Sequence, residues 1–101
     1  MSYDTPSCYW PQDFLDEVES EAVQDGIMVW SVGGQSLILR TPSAMIYIDP
    51  FFGTIPEYRR SIAIPINPNN VRLADLLLST HKHVDHCHEE SIVPIATNTG
   101  L

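Results

Sequence analysis

The apolar positions of the chain change their spacing several times, and each change predicts a different element. Over Pro11–Gln24 they recur at helical spacing, and Gly26 suits the turn past the end of that helix. The residues expected on its buried face are Phe14, Leu15, Val18 and Ala22. The opposite face carries acids without a base, which favours a solvated surface over a docking site for a basic partner. These acids are Asp13, Asp16, Glu17, Glu19 and Glu21.

Beyond that helix the apolar residues form short runs rich in β-branched side chains, which is typical of strands. Ile27–Val32 and Leu37–Arg40 flank Gly33-Gly34, whose access to positive φ suits a tight hairpin. Met45–Ile48 follows a turn and predicts a third strand. The three runs therefore predict an antiparallel meander after the helix.

Two stretches around these strands carry weaker signals. Gln35 and Ser36, in the hairpin, show no diagnostic pattern. The proline-containing stretch from residue 51 to residue 70 has no clear period, and such long segments are often functional loops. Within it, Arg59 and Arg60 could bind a substrate phosphate, but a surface pair that balances nearby acids is the favoured interpretation.

All four histidines of the chain follow a fourth apolar run, Leu76–Leu78, which predicts a buried strand. The stretch after it has the pattern His81-x-His83-x-Asp85-His86. Neutral imidazole and carboxylate groups together suit divalent zinc, manganese or iron. Because a loop that leaves a strand end can direct several side chains into one pocket, the spacing predicts a metal site.

The residues that follow this pattern are harder to assign. For His88 a surface position or a supporting role next to the site is favoured over ligation. Cys87 could bind metal as a thiolate, and a free thiol is the favoured interpretation. Glu89–Ala96 predicts the start of a helix that is interrupted at Pro94 and ends near Gly100.

The H-x-H-x-D-H pattern after a short apolar strand resembles the metal motif of the metallo-β-lactamase superfamily. The upstream strands, with their Gly-Gly turn and the Asp49-Pro50 pair, look like the opening strands of that fold, and the resemblance covers residues 27–95. It looks most like the branch that contains the ascorbate-6-phosphate lactonase. The resemblance implies an α/β fold with α+β layering, the N-terminal half of an αββα sandwich with mostly antiparallel strands and flanking helices.

The resemblance also implies a two-ion site and a hydrolytic reaction. His81 and His83 would bind one ion, and Asp85 and His86 the other, with zinc or manganese expected and iron as a further alternative. A hydroxide shared by the two ions would attack a lactone or ester, and Asp85 would orient it as the catalytic residue. Asp49 would orient a ligand histidine from beneath the site, although a plain turn-forming Asp-Pro pair is equally compatible.

The implied organisation is one domain that the chain contains only in part. No histidine follows His88, whereas the superfamily site needs further histidine and aspartate ligands downstream. We therefore expect the N-terminal portion of a hydrolase, with an uncovered sheet face that promotes self-association. Within residues 1–101, the expected parts are a lead-in with the acidic helix (1–26), strands (27–80), the metal loop (81–88) and the start of the following helix (89–101).

Three alternatives to a lactonase-like hydrolase stay open at this point. One is a non-enzymatic metal-binding or interaction module, and another is an inactive remnant of an enzyme. Within the enzymes, a phosphodiesterase of phospholipase D-like type is the second choice. In every enzymatic case the partner is a small-molecule substrate, namely a lactone, an ester or a phosphoester.

Composition narrows the partners and the compartment. Thirteen acids against five bases give a formal charge of −8, which would repel nucleic acid. No apolar run is long enough for a membrane span, and the first residues do not resemble a signal peptide. Cys8 and Cys87 are therefore expected to be reduced thiols, and the chain is expected to be cytoplasmic.

Overall fold

The computed structural model describes residues 10–33, 35–53, 64–80 and 88–101, which form a small α+β domain with a mixed sheet. Among these residues no helix is long and apolar enough to cross a membrane. The elements in chain order are α1 (Gln12–Ser20), β1 (Met28–Ser31), β2 (Leu37–Arg40), β3 (Met45–Ile48), a 3-10 helix (Pro68–Asn70), β4 (Leu76–Leu78) and α2 (Glu89–Thr99).

The sheet has the order β1-β2-β3-β4. Strands β1, β2 and β3 pair antiparallel, which confirms the predicted meander, and β4 pairs with β3 in parallel. Parallel strands bring their carboxyl ends to the same edge of a sheet. Asp49 directly follows β3 and Thr80 lies two residues beyond β4, so both residues lie at this edge.

Each β-strand contributes side chains to both faces of the sheet. The inner face faces the hydrophobic core, where Ile38 and Tyr47 are fully buried. The inner face is formed by Met28, Trp30, Ile38, Arg40, Met45, Tyr47 and Leu77. The outer face is formed by Val29, Ser31, Leu37, Leu39, Ile46, Ile48, Leu76 and Leu78.

Strand β4 is not the buried strand that its apolar sequence predicts. Leu76 and Leu78 are 44% and 43% exposed, because both point to the outer face. Only Leu77, between them, packs against the hydrophobic core. The prediction is wrong because β4 is the last strand of the sheet in the described structure, with one face toward the core and the other exposed.

Helix α1 ends at Ser20 rather than at the predicted Gln24. Leu15 and Val18 are buried, as predicted, whereas Ala22 lies beyond the helix and is exposed. The last turn of α1 has no basic residue, and its acids interact unfavourably with the negative end of the helix macrodipole. This charge distribution helps to explain why the helix is shorter than its apolar spacing suggests.

Glu19 contradicts the expectation that the acidic face of α1 is wholly solvated. Its side chain is only 7% exposed, and Oε2 accepts hydrogen bonds from the backbone N–H of Arg72 (2.7 Å) and Leu73 (3.0 Å). A carboxylate that accepts two backbone N–H groups makes strong, charge-assisted bonds. Glu19 therefore ties α1 to the segment that leads into β4.

Helix α2 continues through Pro94, so the predicted interruption at this residue is wrong. Proline lacks the N–H that would bond to the carbonyl of Glu90, and the helix continues past its middle without this one bond. The helix ends as predicted, because Gly100 takes a left-handed conformation with φ 82°. The N–H of Leu101 then donates to the carbonyl of Ala96 at 2.9 Å.

Candidate functional site

The chain bends sharply at Asp49, directly after β3. Asp49 is the only non-glycine residue with positive φ (49°) in the described parts of the chain, and it is 3% exposed. Its N–H donates to the carbonyl of Leu78 at 2.7 Å, which continues the β3–β4 pairing into the bend. Left-handed backbone is tolerated better by aspartate than by most residues, and such positions are common at functional sites.

The carboxylate of Asp49 holds Thr80 with both of its oxygens. Oδ1 accepts the backbone N–H of Thr80 at 2.7 Å, and Oδ2 accepts its hydroxyl at 2.8 Å. Thr80 immediately precedes His81, the first residue of the histidine pattern. Asp49 therefore fixes the point at which the chain enters the predicted metal loop, which makes it more than a turn-forming residue.

Ser36 supports this bend from the β1–β2 hairpin. It is 1% exposed, and its hydroxyl donates to the carbonyl of Asp49 at 2.7 Å and accepts the N–H of Phe51 at 3.0 Å. Sequence reasoning found no pattern at Ser36, and nothing in the linear sequence connects it to Asp49. Its role follows from the pairing of β2 with β3, which brings the hairpin next to the bend.

His88 lies at the other end of the predicted metal loop and is 3% exposed, so the surface alternative for this residue is wrong. Its Nδ1 is 2.7 Å from the hydroxyl oxygen of Ser91, and its ring meets that of Phe51 edge-on at 4.8 Å between centroids. Its Nε2 lies 3.7 Å from Oε1 of the exposed Glu90. His88 occupies the position directly before α2, where its side chain makes no capping bond to the helix backbone, and it packs next to the chain that leaves β3.

The predicted metal ligands lie outside the described residues, so the structure does not test their arrangement. The predicted substrate-contacting pair and the predicted free thiols lie outside them as well. In the described parts of the chain, no group of three or more histidine, cysteine or acidic side chains is placed to hold a metal ion. The predicted site residues that lie outside the described structure are His81, His83, Asp85, His86, Cys87, Arg59, Arg60 and Cys8.

The fit of a divalent ion to this site is therefore judged by the chemistry of the donor set. Three imidazoles and one carboxylate within six positions are ligands that zinc and manganese accept. The described structure adds that the residues on either side of this set, Thr80 and His88, are each held by buried groups. The donor set fits a divalent ion, and its flanking residues are anchored.

An open groove of about 700 Å³ lies elsewhere, between α1, the 3-10 helix and the end of α2. Its polar side chains bond mostly to one another: Asn70 donates to Gln12 at 2.9 Å, and Gln12 donates to Asp16 at 3.2 Å. Groups that are already paired offer little to a ligand. We therefore assign no function to this groove, which is lined by Gln12, Asp16, Asn69, Asn70, Arg72 and Asn98.

No model of a protein family matches the chain, and no curated protein matches it either. The resemblance to the metallo-β-lactamase superfamily thus rests on the histidine pattern and on the strands that precede it.

Proposed function

We propose that this chain supplies the metal-binding loop of a metal-dependent hydrolase of the metallo-β-lactamase type, which acts on a lactone or an ester. The single observation that supports this proposal best is the hold of Asp49 on Thr80. A buried carboxylate in left-handed backbone binds the residue directly before His81 through two hydrogen bonds. A buried charge and a left-handed backbone both lower stability, and proteins often have such features next to a segment that must be placed accurately.

In this proposal each residue of the loop has a defined task. Bound divalent ions would lower the pKa of water and stabilise the negative charge that develops on a substrate carbonyl. His81, His83 and His86 would serve as ligands, and Asp85 would be a ligand that also orients the attacking group or accepts its proton. Asp49 would reduce the freedom of the chain before the first ligand.

The proposal is tested by the metal content of the purified chain after exhaustive dialysis against metal-free buffer. Zinc and manganese are offered separately, and His83→Ala and Asp85→Ala are measured beside the wild type. Asp25→Asn is the matched control, since it removes an exposed carboxylate outside the loop. We expect near-stoichiometric metal in the wild type and in the control, and its loss in both loop variants.

The outcomes separate the proposal from its alternatives. Metal retention together with hydrolysis of lactones or esters supports a lactonase-like hydrolase, and hydrolysis of phosphodiesters alone favours the phospholipase D-like alternative. Stoichiometric metal without any hydrolysis favours a metal-binding module. A wild-type chain that retains no metal overturns the proposal and favours an inactive remnant.

The outer face of the sheet favours a second function, namely self-association with another copy of this chain. Its eight positions carry seven apolar residues, one serine and no charge, so two copies would meet there without burying an unpaired charge. At ordinary strand spacing these positions cover about 250 Å² of flat surface. A stable complex buries roughly 800 Å² on each partner, so we expect weak, reversible dimers.

Sedimentation velocity over a range of protein concentrations tests this association. Leu76→Glu places a charge on the outer face, and Val93→Glu places the same charge on an exposed position of α2. We expect the wild type and Val93→Glu to dimerise at high micromolar concentration, whereas Leu76→Glu stays monomeric. Equal association of all three proteins would show that the outer face is not the contact.

A further inference from the structure

His88 is buried against the chain that leaves β3, although it lies far from that chain in the sequence. The ring packs edge-on against Phe51 at an interplanar angle of 70°, and its Nδ1 bonds to Ser91 at 2.7 Å. Ser91 is fully buried, and its hydroxyl oxygen also accepts the N–H of Phe52 at 2.8 Å. The hydroxyl of Ser91 thus connects the imidazole of His88 to the backbone of the residues that follow β3.

The hydroxyl of Ser91 can serve both partners at once. A serine hydroxyl has one hydrogen and two acceptor sites, so it accepts from Phe52 and still shares a hydrogen bond with Nδ1 of His88. This holds whether the hydroxyl of Ser91 donates to Nδ1 or an Nδ1–H group donates to the hydroxyl oxygen. The arrangement therefore holds the ring in one orientation in either tautomer.

Gly53 provides the space that the ring of His88 occupies. A Cβ atom at this position would lie 2.8 Å from Cε1 of His88, closer than real Cβ atoms approach other atoms. Glycine allows the backbone to come this near to another group. The position therefore requires glycine because of a specific neighbour, and the neighbour is His88.

The five-residue stretch Asp49–Gly53 thus contacts Thr80 and His88, the described residues on either side of the seven-residue segment 81–87. Asp49 binds Thr80 on one side of the segment, and Phe51–Gly53 with Ser91 hold His88 on the other side. Fixing both ends of a short segment lowers the conformational entropy that its residues lose when they converge on a ligand.

We propose that His88 is a positioning residue which, with Gly53 and Ser91, fixes the chain directly after segment 81–87 and thereby favours the binding of a divalent cation by that segment. This inference rests on the proposed metal-binding function. It assigns to His88 a supporting role through its neighbours rather than direct ligation. It also makes Gly53, which carries no chemical group of its own, a determinant of metal affinity.

A double-mutant cycle between Gly53 and His88 tests this proposal on the full chain. The variants are Gly53→Ala, His88→Asn and the double variant, and the probe is zinc alone, titrated in competition with a chelating dye. Asparagine can keep a hydrogen bond to Ser91 while it removes the ring that the new Cβ would strike. Val93→Ala, on the exposed side of α2, is the control.

We expect Gly53→Ala to weaken zinc binding roughly ten- to a hundredfold in the wild-type background, as is usual for residues that support metal ligands. In the His88→Asn background the same change should have little effect, because the clash is gone. Hydrogen exchange of the amides of residues 81–87, measured without metal, should accelerate in Gly53→Ala and stay unchanged in Val93→Ala.

The two measurements keep the failure of this proposal separate from the failure of the proposed function. Unchanged zinc affinity and unchanged exchange in folded Gly53→Ala would overturn the positioning role, as would equal effects of that change in both backgrounds. If the wild type binds no zinc, the proposed metal-binding function fails, and hydrogen exchange alone tests whether His88 fixes the segment. Faster exchange then supports the hold on the segment, and unchanged exchange overturns it. If Gly53→Ala does not fold, His88→Asn is compared with His88→Ala, because asparagine can keep the hydrogen bond to Ser91 and alanine loses it. Zinc affinity and hydrogen exchange are then compared between these two variants.

Discussion

The two faces of the sheet are almost equally apolar, yet only one of them is part of the core. On the inner face Ile38 and Tyr47 are fully buried, whereas on the outer face Val29 is 55% and Leu76 is 44% exposed. The inner face shares one hydrophobic cluster with residues of α1, among them Leu15. Apolar character therefore does not decide burial in this chain, and the position of the covering elements does.

This difference explains why the alternation of a half-exposed strand is missing from the sequence. Strands with one solvated face usually alternate apolar and polar residues, whereas β3 and β4 are apolar throughout. Such continuous runs predict burial on both sides. The outer face is consequently a surface with the composition of an interior.

The largest expected difference is between two adjacent residues of β2, one on each face of the sheet, when each is replaced by alanine. Ile38→Ala removes a fully buried side chain and should lower the free energy of unfolding by about 2–5 kcal/mol. Leu39→Ala, at the next position on the outer face, should cost about 1 kcal/mol because its side chain already contacts solvent. Urea unfolding followed by circular dichroism measures both values. Equal losses would indicate that the outer face is covered in solution.

An intermediate effect is expected at Glu19, which holds α1 beside the inner face. Glu19→Gln removes the charge that accepts two backbone N–H groups and should cost about 1–3 kcal/mol. Glu17→Gln, on the exposed side of the same helix, should change stability by less than about 0.5 kcal/mol. The same unfolding measurement compares them. If both changes are neutral, α1 is held by its apolar contacts alone.

The smallest effect is expected at the centre of the inner face. The hydroxyl of Tyr47 is buried without a hydrogen-bond partner in the described structure. Removing an unpaired polar group from a core relieves a desolvation cost, so Tyr47→Phe should be neutral or stabilise by up to about 1 kcal/mol. Thermal unfolding at pH 7 measures the change. A clear loss of stability would mean that the hydroxyl has a partner.

The same variant has a predicted pH dependence. Burial, and secondarily the carboxylate of Glu19, raises the pKa of Tyr47 above its ordinary value of 10.0. The folded state therefore disfavours the phenolate, and this part of the stability is complete below pH 10 and is lost as the pH rises further. Tyr47→Phe should lose less stability than the wild type between pH 9 and about pH 11. Parallel curves for the two proteins would contradict this sign.

Much of the fold could be predicted from local patterns in the sequence. The helix around Leu15 and Val18, the strands Leu37–Arg40 and Met45–Ile48, and the glycine end of α2 all follow from spacing and turn chemistry. These features depend on interactions between residues that are close in the sequence. The histidine pattern was equally visible, although its residues lie outside the described structure and their role stays a prediction.

The contacts that fix the candidate site and helix α1 could not be predicted from such local patterns. Ser36 contacts Asp49, Glu19 contacts Arg72, and Gly53 contacts His88. Each contact joins residues that are distant in the chain, and each depends on how strands and helices are arranged in space. A serine, a glutamate and a glycine carry no linear signal that distinguishes these positions from ordinary surface or turn positions.

The sequence by itself determined where the short elements form and which donor groups cluster after β4, because periodicity and residue chemistry are local properties. Only the tertiary structure decided which face of the sheet is covered and which residues contact Thr80 and His88, on either side of residues 81–87. The parallel pairing of β3 with β4 is the physical reason. It brings Asp49 and Thr80 to one edge, and the chain that leaves β3 then meets His88.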